Sequence, residues 1–95
     1  MPYMPEAELV FKTRTVQSGG IVEMVVWKLS KPVPPAKHLF KYRLVFVRDG
    51  KRVVGYDNER GKGDHKHLGE RQAQYKFVDI ETLIADFIRD VEAMQ

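Results

Sequence analysis

The sequence predicts an α+β fold: an antiparallel sheet of four or five strands with one C-terminal amphipathic helix packed on one face. Three observations carry this expectation. Short runs of apolar and polar residues in alternation recur between Gly- and Pro-rich breaks, the pattern of strands with one wet face. Asp49-Gly50 separates two such runs and is a pair favoured by a two-residue type I′ hairpin turn. Residues 78–95 then change period from two to 3.6, as a helix requires.

The elements follow in order. AELVFKTRTV (7–16) is rich in Val, Thr and Phe. It reads as a strand with Lys12 and Arg14 on one face and Leu9 and Phe11 on the other. QSGG (17–20) is a turn, and IVEMVVWKL (21–29) is an apolar interior strand, so the two runs form a hairpin. SKPVPPAK (30–37) holds three prolines in four positions, which cannot supply ladder donors, so it is a connecting loop. Strands over 38–48 and 51–57 flank Asp49-Gly50. In the first, Phe40, Tyr42, Leu44 and Phe46 share one face, and Lys41, Arg43, Val45 and Val47 share the other. An unbulged register sets Arg48 opposite Lys51, Phe46 opposite Val53 and Arg43 opposite Tyr56. QAQYKFV (72–78) allows one more short strand.

In the helix, Ile80, Leu83, Ile84, Phe87, Ile88 and Val91 make one apolar stripe. Asp79 is suited to the N-cap, where its carboxylate accepts from first-turn N–H groups. Val78 and Leu83 occupy the positions of a hydrophobic staple, and Glu81 complements the helix dipole.

Length and composition fit one domain over residues 1–95 with a modest core. The absence of cysteine excludes disulfides, thiolate metal sites and a cysteine nucleophile, and agrees with a cytoplasmic location. MPYMPEAEL has neither the charged nor the apolar region of a signal peptide, and no apolar run reaches membrane-spanning length. Charge is uneven. Residues 37–76 carry eleven cations against five acids, a net +6, whereas residues 77–95 are net −4. A basic middle beside an acidic helix suggests a polyanion-facing surface away from that helix.

YDNERGKGDHKH (56–67) is the most polar segment. Gly61 and Gly63 flank Lys62, which would let backbone N–H groups turn toward an anion, although the spacing is not that of a Walker A loop. If extended, the stretch directs His65 and His67 to one side and Asp64 and Lys66 to the other. Two imidazoles on one face can act as an acid/base pair near neutral pH. They can also hold a metal, with Asp57, Glu59 or Asp64 as third ligand, or remain solvated surface groups. Arg60, Lys62, Lys66 and Arg71 surround them, and cations beside imidazoles suit phosphodiester chemistry. Tyr56 could stack a base, or be an ordinary cross-strand aromatic; Arg43 and Arg52 are candidate phosphate contacts or simply wet-face residues.

This segment, preceded by a basic hairpin strand and followed by a short acidic helix, resembles the TumE family of small toxins from bacterial toxin–antitoxin systems. The Tyr-Asp-Asn and Gly-Lys-Gly-Asp-His-basic-His pieces carry the resemblance, which covers most of the chain. It implies a cytoplasmic bacterial protein paired with a DNA-binding antitoxin, and a link to RelE-like toxins that cut messenger RNA at the ribosome without a metal. It further implies a site drawn from Tyr56, Asp57, Asn58, Lys62, Asp64, His65 and His67. His65 or His67 would move protons, Lys62, Lys66 and Arg60 would stabilise phosphate charge, and Asp57 or Asp64 would orient an imidazole or a cation. Arg43 and Arg71 extend the phosphate-binding set. No cofactor is expected. The alternatives are a metal-dependent nuclease or phosphoesterase built on His65 and His67, and a non-enzymatic module that binds RNA or protein.

Overall fold

A computed structural model describes residues 6–17 and 19–94. The stretch before Glu6 that was read for a targeting signal, Ser18 of the first turn and Gln95 lie outside them. Six strands and one helix are present among the described residues: β1 (Ala7–Gln17), β2 (Gly20–Leu29), β3 (Phe40–Arg48), β4 (Lys51–Glu59), β5 (Gly63–Leu68), β6 (Arg71–Gln74) and α1 (Ile80–Ala93). The strands pair antiparallel in sequence order, a meander with β1 and β6 at its edges. The α+β expectation holds, with more strands than expected because the polar segment is itself a hairpin. Only the three residues between Glu59 and Gly63 turn, and 72–78 contributes a strand that ends at Gln74. No helix among the described residues is long and apolar enough to cross a membrane.

Helix α1 covers one sheet face. Leu83, Phe87 and Val91 are fully buried against Val22, Val26, Tyr42, Leu44, Phe46, Val54 and Tyr56. Asp79 caps the helix as expected, accepting from Thr82 N–H at 2.7 Å. The staple does not close: Val78 stays 63 % exposed, and Phe77 turns inward instead, against His38, Phe40 and Tyr42. Two helix carboxylates one turn apart tie α1 to the sheet. Asp86 accepts from Tyr75 Oη at 2.6 Å, and Asp90 accepts from Tyr56 Oη and from Lys66 Nζ, the latter at 3.3 Å. At the other end of the helix, Arg48 donates to the Met94 carbonyl at 3.2 Å, where the helix dipole favours a cation.

Two bulges correct the expected registers. Val10 is unpaired between Leu9↔Trp27 and Phe11↔Val26, so Leu9 and Phe11 fall on opposite faces rather than together. Phe11 packs against the core while Leu9 stays exposed. In the second hairpin Asp49 and Gly50 both have positive φ, 55° and 73°, as the type I′ turn demands. Arg48 pairs with Lys51 as expected, but Val53 is left without a partner and the register then shifts by one. Phe46 therefore faces Val54 and Arg43 faces Asp57, not Val53 and Tyr56. The cause is hydrophobic phase. A two-residue turn without a bulge would put Val54 and Tyr56 opposite residues of the wet face. The extra residue brings them level with Phe46 and Leu44 under the helix.

Phe87→Ala, which empties a fully buried position against the Tyr56 ring, is expected to lower unfolding stability by about 3–5 kcal/mol in denaturant titration. Val78→Ala should change it by less than about 0.5 kcal/mol.

Candidate active site on the open sheet face

The pleat divides the polar segment between two environments. Tyr56, Asn58, Asp64 and Lys66 point to the helix side, and Asp57, His65 and His67 to the open side, with Tyr56↔Lys66, Asn58↔Asp64 and Asp57↔His65 as cross-strand pairs. The same row continues to Arg43 on β3 and Gln74 on β6. One transverse line across the open face thus reads Arg43, Asp57, His65, Gln74. His67 sits one step along, between Gly55 and Gln72.

The open-side groups are close together. His65 Nε2 lies 2.7 Å from Asp57 Oδ1, and the two imidazole rings meet edge to face with centroids 5.1 Å apart. The His65–Asp57 contact is not an aligned hydrogen bond, and it is an ion pair only when the ring carries a second proton. Oδ1 is a buried oxygen with no aligned donor among the described residues. The other ring nitrogen of His65, Nδ1, is 3.1 Å from the Gly63 carbonyl. A carbonyl only accepts, so Nδ1 is the donor there. The His65 side chain is 7 % exposed and borders an open depression lined by Lys62, Gln72, Ala73 and Gln74. Burial lowers the pKa of His67 below its ordinary value, and the nearby Arg52 cation lowers it further. The Arg52 stem lies over Gly55, where a Cβ would stand 2.8 Å from Arg52 Cδ, and Gly55 is the cross-strand partner of His67. Arg43 is exposed on the same face.

On the helix side the polar groups hold structure together. Asn58 is buried, accepts from Tyr42 N–H at 3.1 Å and donates to the Phe40 carbonyl at 2.7 Å, fixing the start of β3 to the end of β4. Its own carbonyl accepts from Lys41 Nζ. Asp64 accepts from Tyr42 Oη at 2.7 Å and from His38 Nε2 at 2.8 Å. His38 Nδ1 accepts from Phe40 N–H, which leaves the proton on Nε2, and the ring stacks on Phe77 at 3.9 Å. Tyr56 is fully buried, and Lys66 sits over its ring while pairing with Asp90. Burial and then the Asp64 hydrogen bond raise the Tyr42 phenol far above its usual range; burial and Asp90 do the same for Tyr56.

The turn between β4 and β5 offers no anion nest from its two central amides. Gly61 N–H donates to the Pro34 carbonyl at 3.0 Å and Lys62 N–H to the Glu59 carbonyl at 3.1 Å. Gly63 has φ 73° and its missing Cβ leaves room for the Pro35 ring, which accounts for glycine there. Lys62 is exposed, loosely paired with Glu59 at 4.0 Å, and reaches the depression beside His65. Arg60 is exposed in the β4–β5 turn and Arg71 at the start of β6. The sequence reading gave His38 and the Gln72/Gln74 pair no role. Extending the β5 alternation across its turn would have found the glutamines, whereas nothing local marks His38, which meets Asp64 only through the fold.

The fold and this face define a small α+β protein: a helix-backed meander that carries an Asp–His–His cluster rimmed by cations on its uncovered side. The chain matches the family described as Toxin TumE over residues 2–95 and belongs to that family. No curated protein and no solved structure matches it.

His67 is expected to titrate below its ordinary midpoint in an NMR pH series on metal-free protein. Arg52→Gln removes a cation that disfavours the imidazolium, so it should move that midpoint up, leaving the larger burial effect in place. A midpoint unchanged by Arg52→Gln would remove Arg52 from the site.

Proposed function

We propose that this toxin is an endoribonuclease that cuts messenger RNA by proton transfer on the open sheet face, as one half of a type II toxin–antitoxin pair. The observation that carries this reading is the convergence of Asp57, His65 and His67 on one face in line with Arg43. In ribonucleolysis of this kind the nucleophile is the RNA's own 2′-hydroxyl. The protein must take one proton, deliver another and stabilise the charge that develops on the phosphate.

His67 is the base in this scheme. Burial and Arg52 favour its neutral form, which has a lone pair to take the 2′-hydroxyl proton. The 2′-oxygen bonds to phosphorus as the bond to the 5′-oxygen breaks, leaving a 2′,3′-cyclic phosphate. His65 is the acid: its Nε2 proton, held toward Asp57, passes to the departing 5′-oxygen as that contact opens. Asp57 and the Gly63 carbonyl hold its ring. Arg43, Lys62 and Arg60 contact phosphates, and RNA held by such contacts dissociates as salt rises. Tyr56, Asn58, Asp64 and Lys66 support the strands in this reading rather than meet RNA, and Arg71, paired with Leu68, falls on the helix side and is not among the RNA contacts. A ribosome-bound messenger is the substrate this reading favours.

A toxin calls for a neutralising partner. The antitoxin in this reading is a DNA-binding protein that covers the cationic open face with an acidic segment, since net +6 is concentrated in residues 37–76.

Induced wild-type protein is expected to arrest bacterial growth and generate new 5′-hydroxyl ends in messenger RNA. His67→Ala should lower cleavage by about 10²–10⁴-fold, the usual contribution of a positioned acid or base. Soluble wild-type protein that produces no new ends would overturn the reading. Spacing of the ends within codons reports whether the ribosome presents the substrate.

A further inference from the structure

We infer that Asp57, His65 and His67 form a binding site for a first-row divalent transition ion of the Zn²⁺ type, and that filling it switches RNA cleavage off. The second half rests on the proton-transfer reading above; the first does not.

The argument starts from the His65 ring. Its Nδ1 faces the Gly63 carbonyl at 3.1 Å and therefore bears hydrogen. In the neutral ring Nε2 is then a bare lone pair, and it faces Asp57 Oδ1 at 2.7 Å. That oxygen is buried with no aligned donor among the described residues. Two lone-pair atoms this close require a positive species between or beside them. A proton is one solution and a metal ion is the other. An imidazole that donates from one nitrogen to a backbone carbonyl while presenting the other is also the usual arrangement of a metal-binding histidine, because the carbonyl fixes both tautomer and ring orientation.

The third donor is already in place. Asp57, His65 and His67 each offer a ligand atom, and these atoms lie within 4.8 Å of one another. Bonds of about 2.0–2.1 Å to a tetrahedral ion put its ligand atoms roughly 3.3 Å apart. The Asp57–His65 pair must therefore open slightly and His67 must close in. Side-chain rotation supplies this, since the ladder holds Asp57 opposite His65 and Gly55 opposite His67. Two imidazoles and one carboxylate select Zn²⁺, Co²⁺ or Ni²⁺ over the oxygen-seeking Mg²⁺ and Ca²⁺. Of the three ligands, His65 borders the open depression, and water entering from there would complete the coordination.

Arg43 and Arg52 repel a cation and limit its affinity, so the site suits a reversible ion better than a permanent structural one. An ion bound to both imidazoles uses the lone pairs that proton transfer needs. Metal occupancy and metal-free cleavage are then mutually exclusive.

Isothermal titration of the metal-free full chain with Zn²⁺ tests the site directly. One equivalent should bind, Mg²⁺ should give no heat, and Asp57→Asn and His67→Ala should each weaken Zn²⁺ by at least ~10-fold. Because a variant could lose its fold, Co²⁺ added to wild-type protein provides a second reading: it should shift or broaden the His65 and His67 ring signals far more than those of His38. Absence of stoichiometric binding, or binding that both variants retain, overturns the site. In parallel, cleavage by metal-free protein should fall with Zn²⁺ at the midpoint of binding. Stoichiometric binding with undiminished cleavage overturns the switch. Cleavage that appears only with the ion overturns both the switch and the proton-transfer reading, and leaves the site standing.

Discussion

The unpaired Val53 decides which side of the sheet every later side chain of β4 occupies, and through the β4–β5 ladder those of β5 as well. Side chains alternate with period two, so one inserted residue reverses all that follow it. Without it, Tyr56 would sit across from Arg43, and its ring would be on the open face. With it, Val54 and Tyr56 complete the core beneath α1, and Asp57 comes to face Arg43. The apolar requirement for a helix-covered core and the placing of the polar cluster are thus one constraint, met by one bulge.

The same alternation explains how so polar a segment serves a small fold. Half of it is structural. Asn58 closes two open backbone groups, Asp64 gathers two donors from β3 and its approach, and Lys66 with Tyr56 meets Asp90 of the helix. Buried polar groups are stabilising only when paired, and these are paired. The other half faces outward, and there Asp57 Oδ1 is buried without an aligned donor among the described residues. The acidic helix fits this division, because Asp86 and Asp90 are used against tyrosines and Lys66 of the covered face, leaving the opposite face cationic.

Much of the fold was legible from residue pattern. The Asp49-Gly50 turn, the face of Phe40 to Phe46, the Asp79 cap and the Leu83–Phe87–Val91 stripe are local signals, each with a local cause. The bulges were harder, although the second left a trace: turn pairing and apolar phase disagree by one residue after Lys51. The membership of YDNERGKGDHKH in a hairpin was hidden by its polarity, since a strand that buries Asn and Asp beneath a helix does not look apolar. His65 and His67 were readable as a same-side pair. Their approach to Asp57 depends on a register no sequence window contains, and the His38–Asp64 contact spans 26 positions.

The division of the segment into a supporting face and a working face is the central claim. A 2′-deoxy oligonucleotide, which lacks the attacking hydroxyl and stays intact, can be titrated into isotopically labelled protein and followed by NMR. The account predicts shifts centred on Arg43, Asp57, His65, His67 and Gln74, with Asn58, Asp64 and Lys66 moving only by transmission. Shifts centred on the helix side, around Lys66 and Arg71, with His65 and His67 unmoved, would contradict it.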